Sequence, residues 1–530
     1  MPEAGSCEDT MAVNRNNSLN RGFIGVDKRV ANEGIFRPRA EYLDAMNGGR
    51  FLEYDFTTGS YYSPVRIDRL SSGMYEDKTG VLASNFNDLR IMYGATNGAT
   101  LGLLVEKQST NYIVDDFGDG NSETFHGYGQ PFIFFNPEWT RGFTTTQSAT
   151  GGWSITNFQA APAPDGLPTA ELMVPGIAGS KTCYTTPFLS LSGYTLHCIS
   201  IFCKVHGVTQ EGVADNGATA PTRFQFGDGF NGAYHVQFNI MNGTIISQTG
   251  VSAAWIENYG NGWYRCSFSR IYTSGGVAFN IAPYPSDHTP SVYSPNYKGY
   301  TSSTPGQTGM LLWGYQSEIN TYYPTSYIRT GQYDPAGEIY SPPGYVIHQG
   351  GVVSTRKADQ VYITGVTSWL KSPGTLFVEY YRRDGLASGT GVEEKTLIAT
   401  KSGKGFLCIG HNPSSTDVAA RFDTINNSAP GGITGLNRVA LSLAPTVFQN
   451  KGNTASGTNI RIVVNGGTAA DISNLATGDF DISMAEWLTI GSRSTGLTSG
   501  YSNFYDGIIR KVRYYPRTLT TQEMKDITRV

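Results

Sequence analysis

In the stretch "RFQFGDGFNGAYHVQFNI", residues 223–240, apolar and polar side chains alternate on both sides of a Gly- and Asn-rich turn. Successive side chains of an extended chain point to opposite faces, so a period of two commits this segment to a hairpin with one inward face. Phe224, Phe226, Tyr234, Val236, Phe238 and Ile240 make that face, while Arg223, Gln225, His235, Gln237 and Asn239 point the other way. The pattern recurs between 134 and 330 in "TLHCISIFCKV", "GWYRCSFSRIYT" and "MLLWGYQSEI", at sandwich-like spacing. A second set lies within 355–530: "TLFVEYYRR", "KTLIATK", "GFLCIGH", "RVALSLAP", "NIRIVVNGG", "WLTIGSR" and "FYDGIIRKVRYYP".

A chain of 530 residues is too long for a single core. Charged residues are only 15%, against 64 Gly, 32 Tyr and 26 Phe, a balance suited to short strands joined by turns. The expected class is therefore all-β, with two sandwiches in tandem. Residues 1–50 read as an irregular arm that orders against a partner, and 51–133 as a β-rich leader. The first sandwich occupies 134–330, a Tyr-, Pro- and Gly-rich linker 331–354, and the second sandwich 355–530. Thr520 and Glu523 have capping-box spacing, which predicts a short C-terminal helix. A net charge of -4 with no basic stripe argues against nucleic acid as a partner. No apolar run approaches the roughly 20 residues of a spanning helix, and the N-terminal stretch lacks a secretion signal's apolar core.

The six cysteines are too few and irregular for a disulfide framework and read as buried thiols. His197, Cys198, Cys203 and His206 resemble a metal cluster only at first sight. On one strand, Cys198 and Cys203 point to opposite faces, and Cys198 and His206 lie roughly 26 Å apart. Zinc needs its ligands within about 2.3 Å of one point. The acidic run Asp115, Asp116, Asp119 and Glu123 misses the calcium-loop spacing, since Phe117 stands third and His126 twelfth. No metal and no cofactor is therefore expected. Nucleophile-elbow, zincin, phosphate-loop and dinucleotide signatures are all missing, and the expectation is that the chain is not an enzyme.

"MLLWGYQSEINTYYPTSYIRT", residues 310–330, joins aromatic, amide and carboxylate side chains in one run. Simple alternation places Leu311, Trp313 and Tyr315 on one face, opposite Leu312, Gly314 and Gln316, with Trp313 in the core. The outward row Arg223, Gln225, His235, Gln237 and Asn239 is the better candidate for bonding sugar hydroxyls on an exposed sheet face.

The order of segments carries a resemblance. "RIDRLSSGMYEDKTGVLASNFNDLRIMYGATNGATLGLLVEKQSTNY" resembles the leader of structural proteins of tailed bacteriophages. Its closing motif is Gly102, Leu103, Leu104, Val105, Glu106, Gln108, Thr110 and Asn111. The stretch 134–330, with Asn261, Gly262, Trp263, Tyr264 and Arg265, resembles a carbohydrate-binding-module-like jelly roll. Thr355, Arg356 and Asp359 of "TRKAD" then lead into a concanavalin A- or laminin G-like sandwich. The insertion at 115–133 and the extension 1–50 depart from that pattern. The resemblance implies a virion structural protein, a tail- or surface-fibre component presenting lectin-like domains to host-surface glycans. Other virion proteins would be partners through the N-terminal region, and a homo-oligomer is expected, a trimer ahead of other states. The rival readings are a capsid or tail decoration protein and, last, a polysaccharide depolymerase.

Overall fold

A computed structural model describes residues 51–112, 154–166, 170–174, 183–191, 195–210, 213–214, 221–228, 234–272, 275–285, 309–328, 332–333, 339–340, 346–347, 354–370, 374–383, 395–402, 405–411, 418–422, 425–429, 435–443, 460–472, 485–494 and 501–530. The arm 1–50, the acidic run 115–123, Cys7, the side chains of Cys183 and Cys408, and most of the 331–354 linker lie outside the described residues. Within them the chain is all-β, apart from a 3-10 turn at Val366–Ser368 and one C-terminal helix, Thr521–Thr528. That helix begins as expected: the Glu523 amide donates to the Thr520 hydroxyl, and the Thr520 amide donates to the Glu523 carboxylate. It is neither long nor apolar enough to cross a membrane.

The first sandwich has a five-stranded sheet in the order Cys183–Leu191, Gly275–Pro285, Pro221–Asp228, His235–Asn239, Thr244–Thr249. Its six-stranded partner runs Ala253–Asn258, Tyr264–Tyr272, Thr195–His206, Gly309–Ile319, Ala170–Val174, Ser154–Ala161. All the described pairings of both sheets are antiparallel. The predicted inward face is the core: Phe224, Phe226, Val236 and Phe238 are fully buried, and Phe226 meets Phe268 at 5.0 Å and Tyr315 at 6.1 Å. Cys198, Cys203 and Cys266 are buried free thiols in the same sandwich.

The strand Gly309–Ile319 departs from simple alternation. Along Gly309–Ile319, Phe202 stands opposite Trp313 and Ser200 opposite Gln316, so a bulge takes up one extra residue between them. Directly opposed residues share a face, which puts Trp313 and Gln316 together and turns Tyr315 towards Phe226. The bulge is built on Gly314 at φ +61°, where an added Cβ would lie 2.9 Å from the Phe202 ring. Trp313 is fully buried against Phe202 and Tyr327, as expected, but on the face opposite Tyr315.

The second sandwich is not built from 355–530 alone. Its nine-stranded sheet takes Leu52–Asp55 and Thr100–Val105 as neighbours of Gly507–Tyr515, which in turn pairs with Gly374–Arg382. Its seven-stranded sheet begins with Val65–Asp68 paired to Gln360–Thr364. Leu52, Tyr54, Ile67, Leu103 and Val105 share one core cluster with Trp369, Val378, Leu441, Ile490 and Val512. The sequence reading separates leader from second sandwich, whereas the sheets contain strands of both. Gly102 is specific to this seam: at φ +138° its Cα faces the Ile509 carbonyl, and an added Cβ would lie 2.6 Å from that oxygen. The first sandwich is thus inserted between Ser109–Asn111 and Ser354–Arg356, which pair with each other, Thr110 opposite Thr355.

Candidate functional site

The predicted polar row forms as a row. Arg223 stands opposite Asn239, Gln225 opposite Gln237, and His235 opposite Gly227. It is not the exposed face that was expected. Gln225, Gln237 and Asn239 are buried, and Arg223 and His235 are half-buried. The reason is position within the sheet: Pro221–Asp228 and His235–Asn239 each have a neighbour on both sides. The two amides satisfy one another, Gln237 Nε2 donating to Gln225 Oε1 at 3.3 Å, and Asn239 Oδ1 accepts from the amides of Met241 and Asn242 in the following turn.

Chemistry of another kind gathers where the inserted sandwich meets the second one. Glu106, at the end of the leader motif, accepts from the Ser326 amide on Oε1 and the Ser326 hydroxyl on Oε2, both at 2.7 Å. Arg90 Nη1 donates to Glu106 Oε2 at 2.7 Å, and its Nη2 donates to Asp359. Arg69 Nη1 reaches Asp359 Oδ1 at 2.8 Å, and Arg356 lies 3.5 Å from Glu106. The Arg69, Arg90, Arg356 and Asp359 side chains are fully buried and Glu106 nearly so. Burial by itself would raise the Glu106 carboxyl. The guanidiniums of Arg356, Arg90 and Arg383 outweigh it and hold the group well below the usual carboxylate range.

A second ring of bonds closes on the corner after the Gly309–Ile319 strand. Gln316 Oε1 accepts from the Ile328 amide at 2.7 Å, and Arg265 Nη1 donates to the Thr325 carbonyl at 2.7 Å. Glu318 accepts from the Thr325 amide and hydroxyl and from the Ser109 hydroxyl. Asn111 donates to the Ile328 carbonyl and accepts from the Ser317 amide. The motif residues Glu106, Asn111, Arg265, Thr355, Arg356 and Asp359 therefore belong to one clamp, with Thr110 and Thr355 joined through their hydroxyls at 2.7 Å. The resemblance marked Glu106, Thr110, Asn111, Arg265, Thr355, Arg356 and Asp359. Arg69 and Arg90 were not singled out, and Gln316 and Glu318 were noted only as polar residues of the 310–330 run, because a buried polar group has no local pattern to distinguish it from a solvated one.

At the clamp's edge lies a group with partial access to solvent. Ala254 and Ile256 pack into the core, so Trp255 and Glu257 of the same strand face outward. Half-buried Trp255 meets Tyr322 and Tyr323 edge-on, at 5.4 and 5.2 Å. Glu257 Oε1 accepts from the Tyr323 hydroxyl and from Arg383 Nη2, the latter at 3.0 Å, and Arg383 lies over the Tyr323 ring. Beside this group sits Glu76, whose Oε1 has no hydrogen-bond partner among the described residues. Burial, then the nearby Glu257, pushes its carboxyl up to about 8. The stretch 310–330 thus divides: its strand is core, and its Tyr322–Tyr323 end belongs to an aromatic rim.

His197, Cys198, Cys203 and His206, which resemble a metal cluster only at first sight, fall on a single strand, Thr195–His206, with His197 bonded to the Ser317 hydroxyl at 2.6 Å. No protein-family model and no curated protein matches the sequence. Among solved structures, the chain is similar to the CBM40 module of the Ruminococcus gnavus IT-sialidase bound to α2,3 sialyllactose. Identity is 16% and the TM-score 0.23, over 30% of this chain and 84% of that one. The leech intramolecular trans-sialidase complexed with 2,7-anhydro-Neu5Ac is similar at 17% identity and TM-score 0.21, over 30% of this chain and 23% of that one. A Trypanosoma rangeli sialidase is similar at 12% identity and TM-score 0.22, over 61% and 50%. Sialidases among these structures correct the expectation that the chain is not an enzyme, which is withdrawn.

Proposed function

We propose that this chain is a structural protein of a tailed-bacteriophage virion that holds its inserted sandwich out towards host-surface glycans. The observation that carries this reading is the clamp. Six of the motif residues on which the phage resemblance rests, Glu106, Asn111, Arg265, Thr355, Arg356 and Asp359, share one physical task, fixing the inserted sandwich onto the leader and second sandwich. A module so mounted transmits force and keeps its orientation, which suits an adhesive part of a particle. Glycan contact belongs at the Trp255–Tyr322–Tyr323 rim, where rings offer apolar faces to pyranose C–H groups beside a polar border. Purified protein applied to a glycan array tests this, with Trp255→Ala alongside. Retained folding with loss of array signal is expected, and a wild-type chain that binds no glycan would sink the adhesive role. Attachment would run through residues 1–50. A chain lacking them should fold but stay out of assembled particles, and normal incorporation would refute the anchoring role.

One observation favours the decoration reading, in which the sandwiches make protein contacts only. Burial of Gln225, Gln237 and Asn239 removes the sheet face that sequence had marked for sugar. Locating the chain in a low-resolution map of the particle separates the two, since an adhesin stands at a fibre tip and a decoration protein lies along a shell or tube.

A further inference from the structure

Thr244–Thr249 is the last strand of the five-stranded sheet, and its outer edge has no partner strand among the described residues. Five of its six residues are exposed and the sixth is half-buried. Neighbouring residues of a strand point to opposite faces, so a typical sandwich strand hides one of two adjacent apolar side chains. Here Ile245 and Ile246 are 37% and 41% exposed. The pairing with His235–Asn239 skips one residue at Ile246, a bulge, and this is the only blunting device along the edge. Proline and charge, the other usual protections, are missing: residues 240–256 contain neither.

We infer that this edge pairs with the same strand of a second copy of the chain. The strand is close to a palindrome in the sense that matters for antiparallel pairing. With Ile246 taken up by the bulge, a two-fold axis through Ser247 sets Thr244 against Thr249, Ile245 against Gln248, and Ser247 against its own copy. The threonine pairs are favourable cross-strand neighbours, and no like charges meet, because the run carries no charge. Backbone groups along the edge gain partners, and both isoleucines gain cover. Such an isologous contact closes at two copies, so it makes a dimer and not the trimer expected from sequence.

The test uses the full chain and reads its mass by light scattering over a dilution series. Wild type should be a dimer that dissociates on dilution. Thr244→Lys with Thr249→Lys places lysine against lysine twice, whereas Thr244→Lys with Thr249→Glu places lysine against glutamate twice. The first pair should weaken dimerisation by about tenfold or more relative to the second. Both sites are exposed, so both variants should melt with the wild type. A monomeric wild type overturns the inference, as does a double-lysine variant that dimerises like the lysine–glutamate one.

Discussion

Glu106 and Asp359 stand 253 residues apart and bond in both directions: the Glu106 amide donates to Asp359 Oδ2 at 2.9 Å, and the Asp359 amide donates to the Glu106 carbonyl at 3.0 Å. Two carboxylates brought this close would repel. Arg69, Arg90 and Arg356 stand around them and reverse the sign. Removing one anion strands buried guanidiniums without a partner. Asp359→Ala is therefore expected to cost about 3–5 kcal/mol, read from urea unfolding. A loss of less than about 1 kcal/mol would mean that the clamp is far wetter than its burial indicates.

Among the groups through which acid should attack the protein are Glu106 and His197. Glu106 is held below its unfolded value, so its contribution is complete above about pH 4.3 and drains away as pH falls through the folded value. Burial lowers His197 from 6.5 to about 3, so between these values the unfolded chain takes up a proton that the native state refuses. Both effects carry the same sign. Glu76 opposes the His197 effect down to about pH 4.5, so melting temperature should fall with acid below about pH 4.3, where both effects are unopposed, and Glu106→Gln should flatten that fall. A flat acid limb in wild type contradicts both assignments.

Glu76 acts at the other end of the scale. Its folded value of about 8 lies above the ordinary 4.5, so the native state keeps a proton that the unfolded chain has released. The contribution of Glu76 to stability therefore declines as pH rises from about 4.5 to about 8 and levels off beyond; His197 offsets it up to about 6.5. Glu76→Gln keeps the shape without the charge, and should raise the melting temperature at pH 8.5 while leaving it nearly unchanged at pH 4. Equal shifts at both would remove ionisation as the cause.

Substitutions in the hairpin should no longer divide into silent and damaging. Gln237→Ala leaves the buried Gln225 amide without its side-chain partner, an expected loss of about 1–3 kcal/mol. Phe238→Ala, in the core, should cost about 3–5 kcal/mol. A Gln237→Ala protein as stable as wild type would return this face to solvent.

At Gly314 the expected cost has two parts. Alanine at φ +61° is disfavoured by roughly 1–2 kcal/mol, and the new methyl meets Phe202. Gly314→Ala should lose at least about 2 kcal/mol in chemical unfolding. Restored stability in Gly314→Ala with Phe202→Leu would locate the second part.

Features that repeat locally were legible in sequence. The hairpin's inward face, the strand runs and the Thr520–Glu523 cap each depend on neighbours a few residues away. The pairing of Leu52–Asp55 with Gly507–Tyr515 leaves no such trace, because either strand would read the same beside any partner. Counting by twos failed along Gly309–Ile319, since one bulge exchanges every face beyond it. The polar row in 223–239 was assigned to the correct side of its strands, yet which strands flank it, and hence its burial, is a property of the whole sheet. The motifs of the resemblance contained part of the clamp, while its meaning came only with the partners.

The threading of Leu52–Asp55 beside Gly507–Tyr515 also fixes an order of events on the ribosome. The leader strands emerge before their sheet neighbour, which follows about 20–90 s later at ordinary elongation rates. The inserted sandwich holds all its own strands and is free to fold during that interval. Until that neighbour emerges, the early strands remain an unfinished surface, open to chaperones and to the wrong neighbours. A stalled or shortened chain would therefore lose the mounting first and keep the mounted part.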